Sequence, residues 1–357
     1  MSTWRSCHPP SLLLLRHSAS RHLYIRKLGT SSKPRVVVLG AGWGGFRVAR
    51  DLDKTKFDVT VISPRFFCRC IFVFIMVDLS HRNHFLFTPL LPSTTVGTLE
   101  FRCVQEPVRT IKGVHYLQAQ ASGIDFEAKQ VNCTEVYAHR EEIQPGSWKS
   151  QPKAELSIPY DKLVIATGTK SNTFGVPGIT SQEESGNISP SGTSRHNVFF
   201  LKQLEHARAI RNRIIECFER ASSPSVSEAE RRRLLTFVVV GGGPTSIEFT
   251  SELYDFLTRD VSLWYPDLAD SHSVTLVEAG KHLLGSFDET LSTYVERKFK
   301  RRQIRLLTGE SVRKVRGNSV ELSSGEVLNF GVCVWSTGNS PLDFIKQLGL
   351  EMSRWVG

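Results

Sequence analysis

Three glycines, Gly40-x-Gly42-x-x-Gly45, stand directly between an apolar run, RVVVL at 35–39, and a helix-periodic stretch, FRVARDLD at 46–53. In that setting the spacing suits a dinucleotide pyrophosphate. The first glycine permits a tight turn, the second lets the backbone approach the anion, and the third lets helix and strand pack closely. The helix N-terminus then offers free N–H groups and its positive dipole end. The same grammar returns with TFVVV at 236–240 and GGGPTS at 241–246. Here Gly241, Gly243 and Ser246 fill the three positions. Ser246 replaces the third glycine, which predicts a helix seated slightly further out. Glu278 ends the next strand, SVTLVE at 273–278. A carboxylate there accepts bonds from a ribose 2′-OH and repels a 2′-phosphate, favouring NADH over NADPH. Its spacing from Gly241 is long because 259–272 adds a loop. The competing reading of Glu278 is a solvated strand-end acid. In the first unit the corresponding place holds Ser63-Pro64-Arg65, with no acid.

Each unit needs strands and helices to carry these loops. RVVVL and FDVTVIS read as parallel strands around a first helix, and TFVVV and SVTLVE as their counterparts around a second. Two further strands end in small residues: YDKLVIATG at 160–168, with Thr167 and Gly168, and VWSTG at 334–338, with Thr337 and Gly338. A basic helix is predicted over about 202–220, a Ser/Glu linker over 221–230, a helix around 288–302 and short strands near 304–322. The polar stretches 141–157 and 181–197 read as surface loops. The fold class is α/β, with two dinucleotide-binding units.

Composition limits the alternatives. The chain has 357 residues, of which 40% are hydrophobic and 22% charged, enough for two domains and a large core. Its net charge of +10 suits anionic nucleotides or an anionic membrane surface. No nucleic-acid-binding motif accompanies it, so no nucleic-acid partner is expected. Residues 1–33 are rich in Arg and Ser, lack acids and carry a leucine cluster at 12–15, the composition of a mitochondrial transit peptide. Seven cysteines (7, 68, 70, 103, 133, 217, 333) are scattered, with no CxxC and no Cys/His cluster at zinc spacing. They read as reduced thiols, and no metal is expected.

The order GxGxxG, ATG, GxGxxG-like, STG resembles the two-dinucleotide-binding flavoproteins, in which an NAD(P)H domain is inserted into an FAD domain. Within them the chain resembles type II (alternative, rotenone-insensitive) NADH:ubiquinone oxidoreductases. VISPR at 61–65, NHFLFTPLLPSTTVGTLEFR at 83–102, FLKQLEHARAIRNRI at 200–214, GGGPTSIEFTSELYDF at 241–256 and VEAGKHLLGSFDE at 277–289 carry this resemblance. It implies a transit peptide at 1–33, a first FAD part at 34–200, an NADH domain at 201–330 and a return to the FAD domain at 331–357. It implies FAD at the first glycine loop and NADH at the second. Hydride then passes to the flavin and electrons to ubiquinone, without proton pumping, at the mitochondrial inner membrane. It also assigns Ser63, Arg65, Pro89, Thr167, Gly168, Thr337 and Gly338 to cofactor binding. Glu248 is placed near the nicotinamide–flavin junction, where it assists proton transfer; the other reading is a solvated helix acid. The family is usually dimeric. Disulfide reductases of the same superfamily carry a Cys pair soon after the first helix; 46–65 holds none, so electrons are expected to leave the flavin directly.

Two departures stand out. Residues 66–82 form a mostly apolar run between VISPR and NHFLF. The run is shorter than the roughly 20 residues of a spanning helix, and βα connections are usually short. The favoured reading is a retained intron, with Arg65 and Arg82 codons at its borders; a membrane-touching hairpin and a family insertion are the others. Second, the C-terminal part is expected to be missing, with the second flavin motif and the membrane-docking region. The rival functions are an NAD(P)H oxidase of the apoptosis-inducing-factor type and a truncated, non-catalytic isoform.

Overall fold

The computed structural model describes residues 32–64, 84–136, 140–144, 147–150, 153–179 and 197–351. Arg65, nearly all of the expected transit peptide and the 66–82 run lie outside the described residues. The chain divides into two compact units.

The first unit takes in 32–64 and 107–167. Its sheet is built on β1 (Arg35–Leu39), followed by α1 (Trp43–Asp51) and β2 (Asp58–Ile62). Next come β3 (Val114–Leu117), β4 (Ala119–Asp125), β5 (Gln130–Glu135), β6 (Arg140–Gln144), β7 (Ser147–Ser150), β8 (Glu155–Pro159) and β9 (Lys162–Ile165). Strands β9-β1-β2-β3 form a parallel sheet in that order. RVVVL and DVTVI are buried after their first residues, which is why they read as β-branched runs. Asp161 accepts from the Arg35 backbone N–H at 2.7 Å and from its guanidinium Nε at 3.1 Å, tying the starts of β1 and β9 together. These bonds pull the Asp161 carboxyl down to about 2.

The 141–157 stretch, expected as a surface loop, carries strands instead. β6 and β7 pair as an antiparallel hairpin, and β8 joins β5 and β4 in a second sheet. β8 alternates exposed and more buried residues, as an antiparallel strand with one face toward solvent does, so composition alone hid it.

The second unit takes in 85–106 and 168–351. It holds α2 (Leu91–Val96), β10 (Thr169–Ser171), β11 (Val198–Phe200), α3 (Leu204–Ala221), α4 (Glu228–Leu234), β12 (Thr236–Val240), α5 (Pro244–Phe256) and β13 (Ser273–Glu278). It continues through α6 (Glu289–Arg301), β14 (Arg305–Thr308), β15 (Val312–Arg316), β16 (Ser319–Leu322), β17 (Val327–Asn329), β18 (Val332–Trp335) and β19 (Asn339–Pro341). A five-stranded parallel sheet runs β11-β18-β12-β13-β14. It takes in β11 and β18, both buried along their whole length. β15, β16 and β17 form an antiparallel layer.

The expected linker at 221–230 ends in a helix start. Ser227 caps α4, its hydroxyl accepting the Glu230 N–H at 3.2 Å. The added 259–272 segment is anchored by Val261 and Leu268, 2% and 6% exposed, and Tyr265 stacks on Phe218 at 5.4 Å between ring centroids. Among the described residues no helix is long and apolar enough to cross a membrane.

Candidate functional site

The two glycine loops are built alike. In the first, the Gly40 N–H donates to the Ile62 carbonyl at 2.8 Å, and the Ala166 N–H to the Leu39 carbonyl at 2.8 Å. In the second, the Gly241 N–H donates to Val277 at 2.8 Å, and the Ser336 N–H to Val240 at 2.9 Å. Each loop thus leaves its strand by bonding one neighbour while the strand bonds the small-residue turn on the other side. Gly40 has φ +103° and Gly241 φ +116°, a conformation glycine adopts without penalty. A Cβ on Gly40 would sit 2.2 Å from the Ala166 carbonyl oxygen, and one on Gly241 2.3 Å from that of Ser336. The ATG and STG turns are therefore what the first glycines lean on.

Gly42 and Gly243 are the N-caps of α1 and α5, with no side-chain cap. A Cβ on Gly243 would meet nothing within 4 Å. Open space in front of an uncapped helix start is what a pyrophosphate requires. At the third position, a Cβ on Gly45 would lie 1.9 Å from the Gly40 carbonyl oxygen. Ser246 is fully buried, and its hydroxyl donates to the Ser336 carbonyl at 3.0 Å, so the larger side chain is accommodated by a bond.

Glu278 is half-buried and faces its own loop. Its carboxylate accepts from the Gly242 N–H and, at 2.6 Å, from the Gly280 N–H. With Gly243, Lys281, His282 and Ser286 it lines a cavity of about 310 Å³. The 280–286 stretch, part of the VEAGKHLLGSFDE segment that carries the resemblance, has no cofactor-binding assignment from the sequence; GKH following a strand-end acid is the available signal. In the first unit, Ser63 is 1% exposed, its N–H bonded to the Leu117 carbonyl and its own carbonyl accepting the Tyr116 hydroxyl.

The remaining candidates are dispersed. Thr167 is half-buried; Gly168 is exposed with φ +80°, whereas exposed Gly338 stays outside that region. The Thr337 hydroxyl donates to the Asn172 carbonyl at 2.6 Å, which also accepts from the Trp335 indole at 2.9 Å. Pro89 is exposed in a short turn, Thr88–Leu90, that leads into α2.

Glu248 lies on α5. Its side chain reaches solvent, but neighbouring atoms strip part of the water from the carboxyl. Glu252, one turn on, adds like charge, and both effects raise its pKa above the ordinary glutamate range. Glu252, unnoticed in the sequence, accepts from the Ser93 hydroxyl at 2.8 Å and the Thr98 hydroxyl at 2.9 Å, fastening α2 to α5. A carboxyl raised in the fold, as Glu248's is, lowers stability above its folded pKa; that loss is recovered as pH falls through the ordinary carboxylate range. In Glu252→Gln the amide still bonds both hydroxyls but carries no charge. The Glu248 carboxyl is then expected to titrate at lower pH, read by side-chain carbonyl NMR; an unmoved titration would show that loss of water alone sets it.

The sequence profile of the pyridine nucleotide-disulphide oxidoreductases matches residues 34–357. The chain belongs to that family. Among curated members, it is 39% identical over 334 residues to the mitochondrial external alternative NAD(P)H-ubiquinone oxidoreductase B4 of Arabidopsis thaliana, covering 90% of this chain and 50% of the relative. It is 38% identical over 325 residues to the mitochondrial external NADH-ubiquinone oxidoreductase 2 of Saccharomyces cerevisiae, covering 88% and 52%. The chain spans about half the length of these relatives. Among solved structures, NDH2 from Plasmodium falciparum in complex with NADH superposes with a TM-score of 0.73 at 29% identity, covering 88% of this chain and 57% of that one. Among the described residues Cys103, Cys133, Cys217 and Cys333 are all free thiols.

Proposed function

We propose that the chain is the nucleotide-binding part of a mitochondrial type II NADH:ubiquinone oxidoreductase, holding FAD at the 40–45 loop and NADH at the 241–246 loop. The observation that carries this reading is the paired loop construction, with Glu278 at the strand end of the second loop alone. The residues fit the groups: each loop leaves an uncapped helix start, and each first glycine stands where a Cβ would strike the neighbouring turn. Bound FAD supplies the two-electron chemistry that links a hydride donor to a quinone.

The chain's own residues bind and orient. Gly42 and Gly243 let the helix N-termini face a pyrophosphate, with Gly40, Gly45, Gly241 and Ser246 fixing the turns. Thr167, Gly168, Thr337 and Gly338 close the strand ends; the family resemblance adds Ser63, Arg65 and Pro89 to the flavin-binding residues. Glu278 takes the ribose hydroxyls of NADH. Glu248, exposed and with its pKa raised by loss of water and by Glu252, is the group that assists proton transfer. NADH, ubiquinone and one proton thereby become NAD⁺ and ubiquinol. The relatives' names, with their quinone acceptor and mitochondrial setting, support the acceptor and place. Peripheral contact with the inner membrane and a homodimer belong to the same proposal.

Glu278→Gln tests the nucleotide assignment. The amide no longer repels a 2′-phosphate, so preference for NADH over NADPH should fall about tenfold. The ratio of the two dissociation constants reads this directly, and an unaltered ratio would remove Glu278 from the ribose site.

A further inference from the structure

The loop at 280–286 forms one wall of the cavity beside Glu278, and its backbone is unusual. Leu284 has φ +53°, a left-handed conformation without a glycine. Such a residue is strained and persists only where its surroundings over-determine it. Three bonds do so here. The Leu284 N–H donates to the Gly242 carbonyl at 2.9 Å, joining this loop to the glycine loop. The Gly280 N–H is held by Glu278 at 2.6 Å. The Leu283 N–H donates to Glu296 Oε1 at 3.2 Å, a side chain from α6. Leu283 itself is fully buried, so its N–H has no ready access to water and needs that acceptor.

The Glu296 carboxylate is the point where these contacts meet α6. The same Oε1 accepts the Ser292 hydroxyl at 3.3 Å and lies 3.7 Å from His282 Nδ1. Glu296 does not itself line the cavity; it acts through the Leu283 N–H and through His282, which does line it. We propose that Glu296 is a positioning residue that holds the 280–286 loop as the preformed adenosine wall of the NADH site. The proposal rests on the assignment of NADH to the second glycine loop. Loss of the carboxylate leaves the Leu283 N–H without an acceptor, and the strained turn at Leu284 relaxes away from Gly242. The adenosine half of the ligand loses its wall, while the nicotinamide half, bound beyond α5's N-terminus, does not depend on it.

Calorimetric titration of the full chain with NADH, ADP-ribose and reduced nicotinamide mononucleotide tests this. Glu296→Ala should weaken NADH and ADP-ribose about tenfold and leave the mononucleotide unchanged. Glu296→Gln, which keeps an acceptor for the N–H, should stay within about twofold of the parent. Glu296→Asp, retracted by one methylene, should lose about threefold and serves if the alanine variant does not fold. Parent-like ADP-ribose binding by Glu296→Ala, or by Glu296→Asp in its place, would overturn the proposal, as would equal weakening of all three ligands. A parent chain that binds no NADH would overturn the assignment on which the proposal rests, and the proposal with it.

Discussion

NADH binding by Gly241→Ala is expected to fall more than about a hundredfold, while flavin binding is retained. The reason is local. Gly241 has φ +116°, and the new methyl group would lie 2.3 Å from the Ser336 carbonyl oxygen, which is backbone and cannot swing away. The loop must shift to admit it, and the N–H groups that face the pyrophosphate shift with it. Gly40→Ala should do the converse, since φ +103° and a 2.2 Å approach to the Ala166 carbonyl oxygen repeat the arrangement in the first unit. Calorimetry with NADH and flavin retention after gel filtration read the two arms. If either variant lost both ligands equally, the loops would be serving general stability rather than separate nucleotides.

The second large effect is on stability. Phe218→Ala should destabilise the second unit by about 3–5 kcal/mol. Phe218 is 1% exposed on α3 and stacks on Phe237 of β12 at 6.1 Å and on Tyr265 at 5.4 Å. One ring therefore joins the basic helix, the central strand and the 259–272 segment. Its loss leaves a cavity among residues fixed by the sheet, which collapse only in part. Urea unfolding should show a lower midpoint with little change in slope. A loss below about 1 kcal/mol would mean that the segment repacks freely.

The parts most legible in the sequence were those where burial and backbone geometry restrict residue type. Buried parallel strands such as VVVL and FVVV can be read as apolar runs because both faces are covered. Gly40 and Gly241 can be read because few residues tolerate their backbone. Other parts were hidden for the same physical reasons reversed. The 155–159 strand has a solvent face, so ELSIP resembles a loop. Ser227 and Glu230 carry a helix-start signal, Ser-x-x-Glu, that the Ser-rich surroundings masked. Glu252 and Glu296 look like ordinary helix-surface acids. What distinguishes them is the partner each finds: Ser93, far away in sequence, and the Leu283 N–H, whose need for an acceptor arises only on folding. Leu284 gave no warning at all, because a left-handed leucine leaves no compositional trace.

The most direct test of the account is an anaerobic titration of the flavin-loaded chain, carried out at near-neutral pH with NADH and then with a soluble ubiquinone analogue. The account predicts that NADH bleaches the flavin absorption with one equivalent, and that the quinone restores it where a disulfide substrate does not. Flavin that NADH fails to bleach, or that only a disulfide reoxidises, would contradict it.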